Sequence, residues 1–301
     1  MKGYGKAGRS MKEVEYFTPE TLDEAAALLL AAGSHARWLP GGADLAAEVV
    51  EGGRTISIVL DLKRIPELNR LDYDERSGLR IGAAAPFKTI LEFSPVRRLY
   101  SMLADGSVSG APGQSSDSVT LGVSLADAIS CAEMSPPLIC LRASAGIFGP
   151  YGWSEHALEA LLAGTGRIIL QPGEFVVDLH FPAPPPRSGG AYLRAEVPGR
   201  SDCGPSGVGV FLVLVQDLLT CCGARLALCG VSPAPMRALE AERFLSGKVV
   251  EGAVLQEAVY LTIRSVGASV SSSGGHPDVL RSLARRAIEI ALERVHATTH
   301  V

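Results

Sequence analysis

Hydrophobic positions recur most regularly near the end of the chain. Across residues 277–296, Leu280, Leu283, Ala284, Ala287, Ile288, Ala291, Leu292 and Val295 follow the helical period, which predicts an amphipathic helix with one buried stripe. Arg281, Arg285, Arg286 and Arg294 stand off the stripe among Glu289 and Glu293, so a solvated, ion-paired outer face is expected. Residues 237–245 and 251–265 predict two further helices. Before them the pattern shifts to apolar and β-branched runs, and residues 191–195, 207–215 and 218–228 predict long antiparallel strands. A proline cluster at 182–186, with Ser188, Gly189 and Gly190 behind it, is the best linker in the chain.

The first 85 residues alternate helix and strand. Thr18 and Pro19 predict a helix start as N-cap and first helical residue, and Gly33 closes that helix after Leu28, Leu29 and Leu30. Residues 36–39 read as a short strand running into a glycine pair. Residues 55–62 and 79–82 read as strands, separated by a turn at Ile65-Pro66-Glu67. Residues 86–93 and 96–104 look helical, and the Gly/Ser/Pro-rich stretch 105–118 is long enough for a functional or mobile loop. Farther on, 134–141 is apolar, 154–162 predicts a helix stopped by Gly164, and Pro172-Gly173 turns between strands at 168–170 and 174–181.

Composition narrows what such a chain can do. A length of 301 residues fits two domains, at roughly 100 to 200 residues each. Hydrophobic residues make up 47% and charged residues 20%, and 28 Lys+Arg against 32 Asp+Glu leave a net charge of -4. That balance argues against a disordered chain and against binding nucleic acid or another polyanion. With 33 glycines and 19 prolines, turns are too frequent for an all-helical bundle, and a mixed protein of helices and sheets is favoured. Mean hydropathy is +0.22, yet the apolar strand run 208–215 stops at Gln216 and Asp217, far short of the roughly 20 residues a membrane span needs.

Six cysteines, Cys131, Cys140, Cys203, Cys221, Cys222 and Cys229, form no C-x-x-C or His-paired spacing. They read as reduced, mostly buried thiols of a cytoplasmic protein, with no metal site. His296 and His300 share helical spacing near the end of the chain but make a poor metal pair. Residues 1–10 read as a flexible leader. Gly3, Gly5 and Gly8 there spell G-x-G-x-x-G, but no strand delivers them to a helix, as a phosphate loop requires. Gly204-Pro205-Ser206-Gly207 lacks the spacing of a nucleophile elbow. The strongest local signal is Leu39-Pro40-Gly41-Gly42-Ala43-Asp44-Leu45, where two glycines between a strand and a helical segment fit either a pyrophosphate loop or a tight structural turn.

An ordered set of motifs goes further. After that loop come 60–68 (LDLKRIPEL), 79–83 (LRIGA), Thr120-Leu121-Gly122, 170–174 (LQPGE) and 230–238 (GVSPAPMRA). From residue 11 to about 296 the chain resembles the FAD-binding medium subunit of molybdenum hydroxylases, of the carbon monoxide dehydrogenase and xanthine dehydrogenase type. The resemblance implies an α+β fold. A two-lobed FAD-binding domain of PCMH or vanillyl-alcohol-oxidase type is expected over 11–183, with lobes about 11–65 and 66–183. A linker at 184–189 and a C-terminal domain at 190–301, an antiparallel sheet with helices, complete it.

The same resemblance implies the cofactor FAD and places residues around it. Leu39, Pro40, Gly41, Gly42, Ala43, Asp44 and Leu45 would wrap the pyrophosphate from one lobe, and Thr120, Leu121, Gly122, Val123 and Ser124 from the other. Glu133 would accept hydrogen bonds from ribose hydroxyls, and Leu170 would pack beside the flavin. Tyr192 and Arg194, with Asp202, occupy family Tyr, Lys/Arg and Asp positions near the ring, although packing and turn formation explain Tyr192 and Asp202 equally well. Members of the family usually read Gln-Ile-Arg-Asn before a Thr-Ile-Gly-Gly-Asn loop. This chain has Gln114-Ser115-Ser116-Asp117 and Thr120-Leu121-Gly122-Val123-Ser124, losing an arginine and a glycine. The implied function is electron transfer from iron-sulfur clusters through flavin to an external acceptor. The implied partners are a molybdopterin-binding large subunit and a 2Fe-2S small subunit, in a dimerised heterotrimer. The altered second loop also suits a flavin-poor paralogue serving as a scaffold or assembly subunit.

Overall fold

The computed structural model describes residues 14–39, 58–106, 120, 128–162, 168–195, 205–232, 234–267 and 277–299. Three sheets follow one another along the sequence. The first is parallel, in the order β1-β3-β2, from β1 (Glu15–Phe17), β2 (Ala36–Leu39) and β3 (Ile58–Asp61). Helix α1 (Leu22–Ala32) connects β1 to β2 and buries Leu22, Ala25, Ala26 and Leu29. Its N-cap is Thr21, one turn later than Thr18. The Thr21 hydroxyl accepts the Glu24 N–H, and the Glu24 carboxylate accepts the Glu20 N–H at 3.0 Å, so the cap gives one first-turn amide and the amide just ahead of the N-cap a side-chain acceptor each. Gly33 ends the helix at φ 55, as expected.

The second sheet is antiparallel, in the order β4-β5-β8-β6-β7. Its strands are β4 (Leu71–Asp74), β5 (Gly78–Gly82), β6 (Ser144–Gly149), β7 (Gly152–Ala157) and β8 (Phe175–Phe181). Short helices α2 (Phe87–Glu92), α3 (Ser94–Leu99) and α4 (Ser101–Gly106), the longer α5 (Ala128–Cys140), and α6 (Leu158–Leu162) lie in its connections. The helix expected over 154–162 is therefore half strand, because Pro150 and Tyr151 turn β6 back into β7 and only Leu158 onward is helical. The helix expected over 96–104 breaks at Tyr100, whose φ -125 and ψ 40 let its ring enter the core at 1% exposure. Residues 168–170 are not a strand, and β4 and β6 are additional ones.

Phe148, Phe175 and Val177 of the second sheet pack with Leu60 and Leu62 of the first and with α1. Ring centroids of 6.2 Å for Phe148 and Phe175, and 6.5 Å for Trp38 and Phe175, mark that joint. The edge-to-face Phe148–Phe175 pair is favourable beyond the area it buries.

The third sheet runs β12-β11-β10-β9, with β13 also on β11. It comprises β9 (Ser188–Ala195), β10 (Ser206–Leu214), β11 (Thr220–Cys229), β12 (Met236–Arg237) and β13 (Lys248–Val249), all antiparallel as expected. Helices α7 (Leu239–Leu245), α8 (Gly252–Val266) and α9 (Pro277–Thr299) cover one face. The predicted stripe of α9 is buried, with Leu280, Ala284, Ala287, Ile288, Ala291 and Val295 at 0% exposure. Val208, Val210, Leu212 and Leu214 of β10 meet it.

The opposite face of β10 carries Gly207, Gly209, Phe211 and Val213, and α5 lies across it. A Cβ on Gly209 would stand 3.1 Å from Pro136 of α5, and one on Gly207 would stand 2.5 Å from the Tyr192 hydroxyl. Glycine is needed there for close approach. Cys140, Cys221, Cys222 and Cys229 are free thiols; burial pushes Cys140 up to about 12 and Cys221 up to about 11, so neither is a nucleophile at neutral pH. Cys131 and Cys203 lie outside the described side chains.

Candidate functional site

Leu39 is the last residue of β2 and pairs in parallel register with Asp61 at the end of β3. The first candidate loop thus leaves the carboxyl end of a parallel strand, the place where sheets of this kind present ligand-binding loops. Pro40, Gly41, Gly42, Ala43, Asp44 and Leu45 lie outside the described residues. Asp61 is occupied by its own sheet: it accepts the Tyr16 hydroxyl at 2.6 Å and the Lys63 N–H at 3.1 Å. The hydrogen bond to Asp61, then burial, push the Tyr16 phenol up to about 12.

The second candidate loop is anchored at Thr120, which is 3% exposed and forms an antiparallel bridge with Pro86, just ahead of α2. Leu121, Gly122, Val123 and Ser124 lie outside the described residues. Pro86 closes a turn that follows β5. Its amides are satisfied by the backbone: Gly82 N–H donates to Arg70 O at 2.7 Å, Ala83 N–H to Val177 O at 2.8 Å, and Ala84 N–H to Leu68 O at 2.7 Å. Ala84 belongs to the same packed cluster as Leu60 and Leu62, which flank Asp61 and hence the strand end beside Leu39. Both loops therefore spring from anchors beside one buried turn whose side chains, Ala83, Ala84 and Ala85, are single methyl groups. The Gly41-Gly42 sequence after Leu39 and the buried Thr120 suit the donor chemistry of a dinucleotide pyrophosphate.

The remaining candidates divide between two places. Leu170 is half-buried and packs on the core of the second sheet. Behind it Gln171 N–H donates to the Glu174 carboxylate at 2.7 Å and Glu174 N–H to Gln171 O at 3.0 Å, fixing the Pro172-Gly173 turn. Glu133 lies on α5, with its side chain outside the described residues. Tyr192 and Arg194 lie on the face of the third sheet that α5 covers. Tyr192 is 1% exposed and its hydroxyl is 3.6 Å from Cys229 Sγ. Arg194 is half-buried, and Asp202 lies outside the described residues.

Two groups that the sequence did not single out hold these parts together. Asp105, near the end of α4 and just ahead of the second loop, accepts the Tyr192 N–H at 3.0 Å and receives Arg294 of α9 at 2.6 and 2.9 Å. Arg294 also donates to Gly190 O at 2.7 Å. Arg294 is thus not part of a solvated face; Arg286 with Glu289 and Glu293, and Arg281 with Asp278, do form exposed pairs as expected. The partners Asp105 and Arg294 are 189 positions apart, and no local pattern joins them.

The second group is a chain of charges. Glu242 of α7 holds Arg237, Arg237 reaches Glu159 of α6 at 3.1 Å, and Glu159 holds Arg225 of β11 at 2.7 Å. Arg225 also donates to Ile139 O of α5 at 3.1 Å. Burial pushes the Glu159 carboxyl up, but hydrogen bonds and charge from Arg237 and Arg225 outweigh it and hold it below the usual carboxylate range. No group of three His, Cys, Asp or Glu able to hold a metal occurs among the described residues; His296 Nε2 is 2.9 Å from Leu218 O. No helix among them is long and apolar enough to cross a membrane.

Comparison with known proteins gives consistent matches. Residues 12–184 match the family described as FAD binding domain in molybdopterin dehydrogenase, and residues 201–295 the CO dehydrogenase flavoprotein C-terminal domain. The carbon monoxide dehydrogenase medium chain of Afipia carboxidovorans is 25% identical over 283 residues, covering 94% of this chain and 96% of that protein. The xanthine dehydrogenase FAD-binding subunit of Escherichia coli O157:H7 is 26% identical over 216 residues, 71% of this chain and 73% of that one. Among solved structures, the reconstituted CO dehydrogenase from Oligotropha carboxidovorans superposes with a TM-score of 0.79 at 23% identity, covering 94% of this chain and 98% of the other.

Proposed function

Because the chain belongs to the family of FAD binding domains in molybdopterin dehydrogenase and is an FAD-binding oxidoreductase subunit of the carbon monoxide dehydrogenase and xanthine dehydrogenase type, we propose that it is the electron relay of a molybdenum hydroxylase complex. In this reading electrons arrive from a 2Fe-2S small subunit, which a molybdopterin-binding large subunit supplies, and leave for an external acceptor. The three chains form a heterotrimer that dimerises. A cytoplasmic location belongs to the same reading and is supported by the four free thiols among the described residues.

The observation that carries the proposal is that Thr120 bridges Pro86, while Ala84 of the same turn packs with Leu60 and Leu62 on either side of Asp61, the strand partner of Leu39. Backbone N–H groups of the 39–45 loop hold the pyrophosphate from one side, and the loop from Thr120 to Ser124 holds it from the other. Glu133 accepts from ribose hydroxyls, Leu170 keeps water from the flavin side, and Tyr192 and Arg194 set the polarity around the ring. Bound FAD supplies one- and two-electron redox chemistry that side chains lack. The chain's own contribution is to bind, orient and shield it.

Copurification with the co-expressed partner chains, followed by a visible absorption spectrum, tests the cofactor: one flavin per chain is expected, and no flavin band after reconstitution with FAD refutes the reading. Substrate-dependent reduction of an external dye is expected only with all three chains present. An unchanged rate without this chain refutes the relay.

A further inference from the structure

A cavity of about 460 Å³ opens between the linker, the end of α5 and the third sheet. It lies on the face of β10 that α5 covers, beside Phe211 and Val213. Tyr192 pairs with Gly209, two to four residues back along the strand, so the cavity is displaced from the residues assigned to the flavin. Its volume falls within the range of small-molecule sites, which favour the junctions between domains.

The lining has an uneven charge. Arg142, Arg225 and Arg237 line the cavity, and no lining residue is an aspartate or glutamate, although the chain as a whole has a net charge of -4. Arg225 and Arg237 are turned partly away, to Glu159 and Glu242. The exposed Arg142 guanidinium makes no hydrogen bond or ion pair among the described residues, so one positive charge remains unmatched at the rim. Its backbone is held at φ 59, a conformation that favours glycine or asparagine over a long side chain. Arg142 N–H donates to Ile139 O at 3.0 Å and Ala143 N–H to Leu138 O at 2.9 Å, which fixes the backbone there. The walls are apolar and flat: Tyr100, Leu141, Phe211 and the linker prolines. The Tyr100 hydroxyl donates to Pro182 O at 3.1 Å and holds the proline wall in place.

We propose that this cavity is a binding site for a small organic anion with a flat apolar body, an aromatic carboxylate in chemical class. The ring lies between the proline wall and Phe211, and the carboxylate faces Arg142, since Arg225 and Arg237 are matched by Glu159 and Glu242. Guanidinium and carboxylate suit each other because the planar donor fork matches two acceptor oxygens. The proposal does not depend on the relay function, since none of these residues is assigned to FAD.

Isothermal titration of the FAD-loaded protein with benzoate, and with benzamide as an uncharged probe of the same shape, tests it. Saturable binding of one benzoate per chain is expected, with benzamide at least about tenfold weaker, as for loss of one charge-assisted contact. Arg142→Gln is expected to weaken benzoate by about the same factor while leaving the flavin absorption unchanged, and Arg142→Lys to retain most of the affinity. Equal binding of the two probes, or an Arg142→Gln protein that binds benzoate as the parent does, overturns the proposal. So does release of flavin by benzoate, which would make the cavity part of the cofactor site.

Discussion

The two faces of the third sheet are written into the same strands yet do different work. On β10 the even-numbered residues Val208, Val210, Leu212 and Leu214 meet a layer of helices and form an ordinary apolar core. The odd-numbered Gly207, Gly209, Phe211 and Val213 face α5, where tolerance is set by backbone approach and by the charge chain from Glu242 to Arg225. One face closes the C-terminal unit on itself; the other joins it, through α5, to the part that carries Leu39 and Thr120. Period-two alternation thus specifies a core and a joint together.

Leu212→Ala should break the first face most strongly. Leu212 is 0% exposed, and such truncations cost about 2–5 kcal/mol. Chemical denaturation should show that loss with flavin content per folded chain unchanged; a midpoint within experimental error of the parent would contradict the assignment of this face as core. On the other face Gly209→Val adds bulk where a Cβ already comes within 3.1 Å of Pro136, a cost of about 1–3 kcal/mol. Here the expected sign is faster tryptic cleavage after Arg187 in the linker, and cleavage at the parental rate would mean that α5 is not clamped by close approach.

The smallest effect concerns pH. The folded carboxyl of Glu159 is held below its ordinary value, so its contribution is present above the unfolded value, about 4.3, and is lost as pH falls through the folded one. Glu159→Gln should flatten the fall in thermal stability below about pH 5; an acid limb as steep as the parent's would exclude this pair of contacts as its source. The side chain is 42% exposed, and solvent screening keeps the effect modest.

What could be read in advance follows from the range of the interactions. The α9 stripe and strands β10 and β11 were legible because burial on one side imposes a period on neighbouring residues. The strand β7 was not: Trp153, Glu155 and His156 carry no helix-breaking residue, and only pairing with β6 makes them extended. Tyr100 ended a helix because the core claimed its ring, a demand made by Tyr73 and Phe181 across the sheet. For the site, the cofactor was named by the family resemblance, and Gly41-Gly42 lie outside the described residues. Asp105 and Arg294 were invisible, since an ion pair between distant segments leaves no local trace.

That pair has a consequence for how the protein is made. Among the described residues β9 is the outermost strand of its sheet, and the Tyr192 amide and Gly190 carbonyl are capped by Asp105 and Arg294. Bare strand edges recruit other strands. The cap has two halves made far apart in the sequence, so Asp105 can guard the strand edge only once α9 has delivered Arg294 to it.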